Sequence, residues 1–165
     1  MSDKANKEKP RAEAIAALFG SSSFRDEFGG GRSTVMPKEA IVRALGLTQS
    51  KCGVVPVWCM ETFYASTLTH EQGMARAYAA WHETTHGKDA NQHDVAVRRF
   101  ASALAIRSLA GQRYSTTMLA EYAFLLCCRR ERLQAQMATA EAWLSGQLSD
   151  GLDEFKRAFW EKEVA

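Results

Sequence analysis

Residues 116–144 read TTMLAEYAFLLCCRRERLQAQMATAEAWL, and within them Leu119, Ala123, Leu126, Arg130, Leu133, Met137, Ala140 and Leu144 recur at alternating steps of four and three. Seven of these eight residues are apolar, and that heptad spacing is the mark of a helix packed along one seam. Arg130 is the exception. It leaves two readings open: one long helix with a polar residue in its seam, or two helices that meet at Cys127–Glu131. Packing inside the chain's own bundle is the favoured use of the seam. A protein partner or a homo-oligomer through Leu119–Leu144 is the other.

Upstream the same periodicity persists. A helix is expected over Thr69–Gly87, with Thr69 and Gln72 as a capping box and with Met74, Ala77, Tyr78, Trp81 and Thr85 on one face. After a polar loop, Asn91 or Asp94 caps a helix that runs to about Ala110 on Val97, Ala101, Leu104 and Ser108. Downstream, Gly146 and Gly151 read as breaks, with Asp150 capping a last helix on Leu152, Phe155 and Phe159. Near the start, Lys38–Leu45 reads as a helix stopped by Gly46. Gly53–Trp58, with Pro56 inside it, reads as an extended connection. The fold expected is all-α, a helical bundle of five or six helices behind a flexible N-terminal tail. Residues 1–34, with a short helix at Arg11–Phe19 and serine and glycine runs, form the tail; residues 35–165 form a single all-helical domain.

Composition narrows the function classes. The 46% hydrophobic share is enough for a core at 165 residues, yet no apolar run reaches the roughly 20 residues of a membrane span. Cys52, Cys59, Cys127 and Cys128 form no CxxC pair, and they read as buried thiols of a cytoplasmic protein. The net charge of +2 conceals an asymmetry: residues 95–133 carry seven arginines against Glu121 and Glu131, whereas residues 139–165 carry six acids against three bases.

Three constellations carry chemistry. Arginine forks match phosphate geometry, so Arg98, Arg99, Arg107, Arg129, Arg130 and Arg132 form the expected nucleic-acid-binding set. His82-Glu83-Thr84-Thr85-His86 resembles the HExxH helix of zincin metalloproteases. That resemblance implies His82 and His86 as zinc ligands and Glu83 as general base. The competing reading sets His82 beside Tyr78 and Trp81, with Glu83 and His86 in solvent. Ile41–Ser50 resembles the helix-turn-helix of phage and bacterial repressors, which implies a turn at Gly46 and groove contacts from Gln49, Ser50 and Lys51. The favoured function is a non-enzymatic, nucleic-acid-associated helical protein, a regulator or small subunit of a nucleoprotein complex, with no cofactor. A zinc metalloprotein built on His82 and His86 is the alternative, and a protein-interaction module is the third.

Overall fold

The computed structural model describes residues 38–65, 68–88 and 91–163. The expected tail and its Arg11–Phe19 helix lie outside them. Of the described residues 86% are helical, in six helices and with no strand. These are α1 (Lys38–Cys52), α2 (Val54–Ala65), α3 (Glu71–His86), α4 (Gln92–Leu109), α5 (Thr116–Leu125) and α6 (Arg130–Glu163). No described helix is long and apolar enough to cross a membrane. The described residues fall into two compact units. One holds those up to Thr69 together with those from Gln147 onward, and the other is His70–Gly146.

The first unit is built from α1, α2 and the last part of α6. Ile41, Ala44, Leu45 and Thr48 recur at three- and four-residue steps and are buried, so one apolar stripe continues straight past Gly46. The expected stop at Gly46 is therefore absent: α1 is a single helix of 15 residues, and there is no helix-turn-helix in Ile41–Ser50. A glycine inside a helix costs about 1 kcal/mol, less than the burial on either side returns. Thr48 joins the core by donating its hydroxyl back to the Ala44 carbonyl at 2.7 Å. The break comes at Gly53, whose φ of +87° suits glycine and whose N–H bonds the Gln49 carbonyl. Residues 54–58 are likewise helical where an extended connection was expected. Pro56 is the third residue of α2, where its missing N–H would have had no intrahelical partner anyway.

A core of Ile41, Leu45, Val57, Met60, Phe155 and Phe159 closes this unit. Gly146 and Gly151 do not interrupt α6, and Asp150 is not a cap but an exposed residue within the helix. Gly151 is buried, and a Cβ placed on it would meet the Cβ of Pro56 at 2.8 Å. The glycine thus lets the backbone of α6 approach α2, while Leu152 and Phe155 on the same helix bury beside it.

The second unit contains α3, α4, α5 and the first part of α6. Here the break in the heptad seam falls where Arg130 interrupts it. α5 ends at Leu125, residues 126–129 turn, and α6 begins at Arg130. The turn takes the seam with it, since Leu119, Ala123, Leu133 and Met137 share one core with Ala101 and Leu104. Ser115 caps α5 by accepting from the Met118 N–H, and Asn91 caps α4 by accepting from the Asp94 N–H. α3 departs from expectation at its start, where His70, not Thr69, is the N-cap, with no capping bond from its side chain. Gly87 ends α3 as expected, with φ +81° and its N–H on the Glu83 carbonyl.

The cysteines correct another expectation, for only Cys59 is buried; Cys52 and Cys127 are exposed, and Cys128 is intermediate. Burial pushes the Cys59 thiol up to about 12. Burial also raises the thiol of Cys128, with Cys127 beside it adding to the shift.

Candidate nucleic-acid interface

α3 and α4 follow one another in the chain and lie alongside one another within the second unit. On α3, alanines stand at 75, 79 and 80, and their small side chains leave an open groove of about 720 Å³ between the two helices. Arg76 enters this groove from α3, and Arg98 and Arg99 enter it from α4. Spacing explains the α4 pair. Val97 and Ala101 are buried on the core face, so positions 98 and 99 turn toward the groove and solvent. Gln72 and Ser102 add polar groups, while Glu83 is the acid along the lining.

The other arginines of the expected set are placed differently. Arg107 donates from Nε to Glu71 on α3 at 3.1 Å. Beside that pair, burial raises the Tyr114 hydroxyl, and the charge of Arg107 opposes the shift only in part. Arg132 is ion-paired with Asp94 in the first turn of α4. Arg130 is half-buried and lies 3.7 Å from Glu131. Arg129 is exposed at the end of the turn.

The six arginines therefore do not form one uniform face. Arg98 and Arg99 converge, Arg107 is held by α3, and Arg132 arrives at Asp94, one helical turn from Arg98 along α4. Asp94 lies just before the basic run 95–133 and Glu71 well before it, so a linear count of charge misses both neutralising partners. Sequence reasoning also missed Arg76. It lies in a segment with no local charge excess, and only the pairing of α3 with α4 brings it beside Arg98 and Arg99.

The histidine motif lies on α3. His82 is 8% exposed, with its ring centroid 5.9 Å from that of Tyr78 and 6.2 Å from that of Trp81. His86 is exposed, and its ring lies 4.6 Å from the ring of His82. One helical turn thus brings both imidazoles onto one face, as the spacing requires. Glu83 lines the groove instead. Among the described residues no group of three His, Cys, Asp or Glu side chains is placed to hold a metal ion. Trp81 and Trp143 stand 5.7 Å apart, so the histidines sit at the margin of an aromatic cluster.

Comparisons with protein-family models, with curated proteins and with solved structures give no match. The chemistry of the groove rests on the side chains themselves.

Proposed function

We propose that this protein is a non-enzymatic, nucleic-acid-associated helical protein, working as a regulator or small subunit of a nucleoprotein complex. One observation carries the reading: Arg76, Arg98 and Arg99 converge from two helices on one open groove. A guanidinium stays charged at any relevant pH and offers a planar fork of donors that fits a phosphate. Three of them on an accessible groove suit a run of backbone phosphates better than a buried small ligand. Arg129 adds an exposed cation to the same unit, whereas Arg107 and Arg132 are engaged by carboxylates and serve first to hold helices together.

Affinity for a short oligonucleotide should fall steeply with salt, with a log–log slope of roughly −0.7 to −0.9 for each phosphate neutralised. Reversing Arg98 and Arg99 to Glu together should flatten that slope by about two phosphates' worth and weaken all sequences alike, because phosphate contacts carry no sequence information. Circular dichroism checks that the variant is folded. A folded double variant that binds DNA and RNA as well as the parent defeats the proposal.

The zinc reading keeps one specific support, the 4.6 Å approach of the His82 and His86 rings. Elemental analysis of purified protein tests it. About one zinc per chain, lost in His86→Ala, is the result that would place the metal reading first.

A further inference from the structure

We propose that the end of α5, where the chain turns into α6, is a base-stacking tip, in which Phe124 and Leu125 engage unpaired bases of a single nucleic-acid strand. This deepens the nucleic-acid reading above and rests on it. Phe124 is 82% exposed and Leu125 76%, whereas the next most exposed large apolar side chain among the described residues, Leu47, stands at 49%. Their neighbours are committed inward. Ala123 is buried, and Leu126 and Cys128 pack against the core of the unit.

The display is built rather than frayed. Leu126, Cys127 and Cys128 donate their N–H groups to the carbonyls of Tyr122, Phe124 and Ala123, and Cys127 takes a left-handed φ of +52°. Two adjacent residues of α4 hold the turn from the other side: the His93 ring nitrogen lies 2.7 Å from the Leu126 carbonyl oxygen, and Asp94 pairs with Arg132. An apolar pair fixed outward in this way is pre-organised for a ligand.

The surroundings select the ligand. Arg129 is exposed beside the tip and Arg132 leads to Asp94, from which Arg98 is one turn along α4, or about 6 Å. The turn is thus tied to the helix that carries Arg98 and Arg99, and a strand whose bases meet Phe124 can carry its phosphates toward them. A duplex hides its base faces; a single strand presents them, and aromatic side chains stack on them whatever the sequence. Phe124 and Leu125 together offer less apolar surface than a single acyl chain, and even that chain gives only reversible membrane binding. Every base between residues 95 and 133 is moreover an arginine, the residue that both stacks and forks phosphate.

The test compares a short labelled single strand with its own duplex, by fluorescence anisotropy on the full chain. Phe124→Ala should weaken single-strand binding about tenfold, within the range for losing one base stack, and leave the salt slope unchanged because no phosphate contact is removed. Duplex binding should change less than about twofold, and Phe124→Trp should restore the single-strand affinity. Folding is checked by the thermal melt, which an exposed position should leave in place.

An equal loss on both nucleic acids, or no loss on either, overturns the tip while leaving the arginine reading standing. Failure of the parent to bind any nucleic acid overturns both. Phe124-dependent sedimentation with phosphatidylcholine vesicles containing phosphatidylserine, or a Phe124-dependent dimer in sedimentation equilibrium, would assign the tip to another occupant and end the proposal.

Discussion

The two units use similar materials to opposite ends. In the first, charge closes on itself: Lys51 lies 3.5 Å from Glu154, Glu154 accepts hydrogen bonds from Arg157, and Arg157 reaches Glu161 at 2.6 Å. An open groove there is lined by Arg43, Lys51 and Arg157 and answered by those two acids. In the second unit, acids hold Arg107 and Arg132, but Arg76, Arg98 and Arg99 face a groove and Phe124 stands in solvent. The number of bases is therefore a poor guide to a binding surface. What distinguishes the two grooves is their lining: two acids stand among three bases in the first, whereas Glu83 is the acid beside Arg76, Arg98 and Arg99 in the second.

The largest expected effect tests whether each unit stands on its own core. Leu133 and Phe155 are both fully buried, in different units and on the same helix. Leu133→Ala should cost about 2–5 kcal/mol and Phe155→Ala about 3–5 kcal/mol. Native-state hydrogen exchange should show the protection lost chiefly in α3–α5 for the first and in α1–α2 for the second. Uniform loss across both units in either variant would break the comparison.

A smaller and sharper effect comes from two glycines five residues apart. Gly146 has open space where a Cβ would stand, whereas at Gly151 the Cβ would press on Pro56. Gly146→Ala should stabilise by about 0.5–1 kcal/mol, the ordinary gain in a helix interior. Gly151→Ala should destabilise by about 1–3 kcal/mol, because forcing an extra methyl into a packed contact outweighs that gain. Denaturation midpoints moving in opposite directions are the expected result; two stabilised variants would mean that α2 yields freely at Pro56.

The smallest effect is the pH response of the closed charge network. Hydrogen bonds from Arg157, with Lys51 adding its charge, hold the Glu154 carboxyl below the usual carboxylate range. A group depressed in the folded state stabilises above its unfolded value, about 4.3, and loses that contribution as pH falls through the lower folded value. The parent should therefore exceed Glu154→Gln in urea midpoint at neutral pH and converge with it in acid. A gap that persists at low pH would show that packing, not charge, is what the substitution disturbs.

Periodicity made much of this legible in the sequence. The all-α class, the stop at Gly87, the Asn91 cap and the buried face of Leu152, Phe155 and Phe159 all follow from side-chain spacing that a single helix carries within itself. Glycine and proline misled. Gly46, Gly146 and Gly151 read locally as breaks, yet burial on neighbouring turns carries the helix through each of them. Pro56 read as a barrier to helix, although it falls in a first turn that tolerates it. The groove was only half legible, because Arg98 and Arg99 lie in a visibly basic run whereas Arg76 and the neutralising acids Glu71 and Asp94 are recruited across helix pairs. Phe124 drew no notice, since a sequence does not mark which member of the apolar run Phe124-Leu125-Leu126 is left facing water.

The chain order of the first unit has a consequence for biosynthesis. Its α1 and α2 are made before His70–Gly146, but the part of α6 that bears Phe155 and Phe159 is made only after that whole segment. On a ribosome adding roughly 5–20 residues per second, the second unit has all its own residues about one to three seconds before Phe159 of the first is added. During that interval Ile41, Leu45, Val57 and Met60 lack the part of α6 that covers them. A stalled or truncated product ending near Gly146 would thus carry a finished arginine groove in one unit and an uncovered apolar surface in the other, a form that chaperones and proteases would meet before the rest of α6 is made.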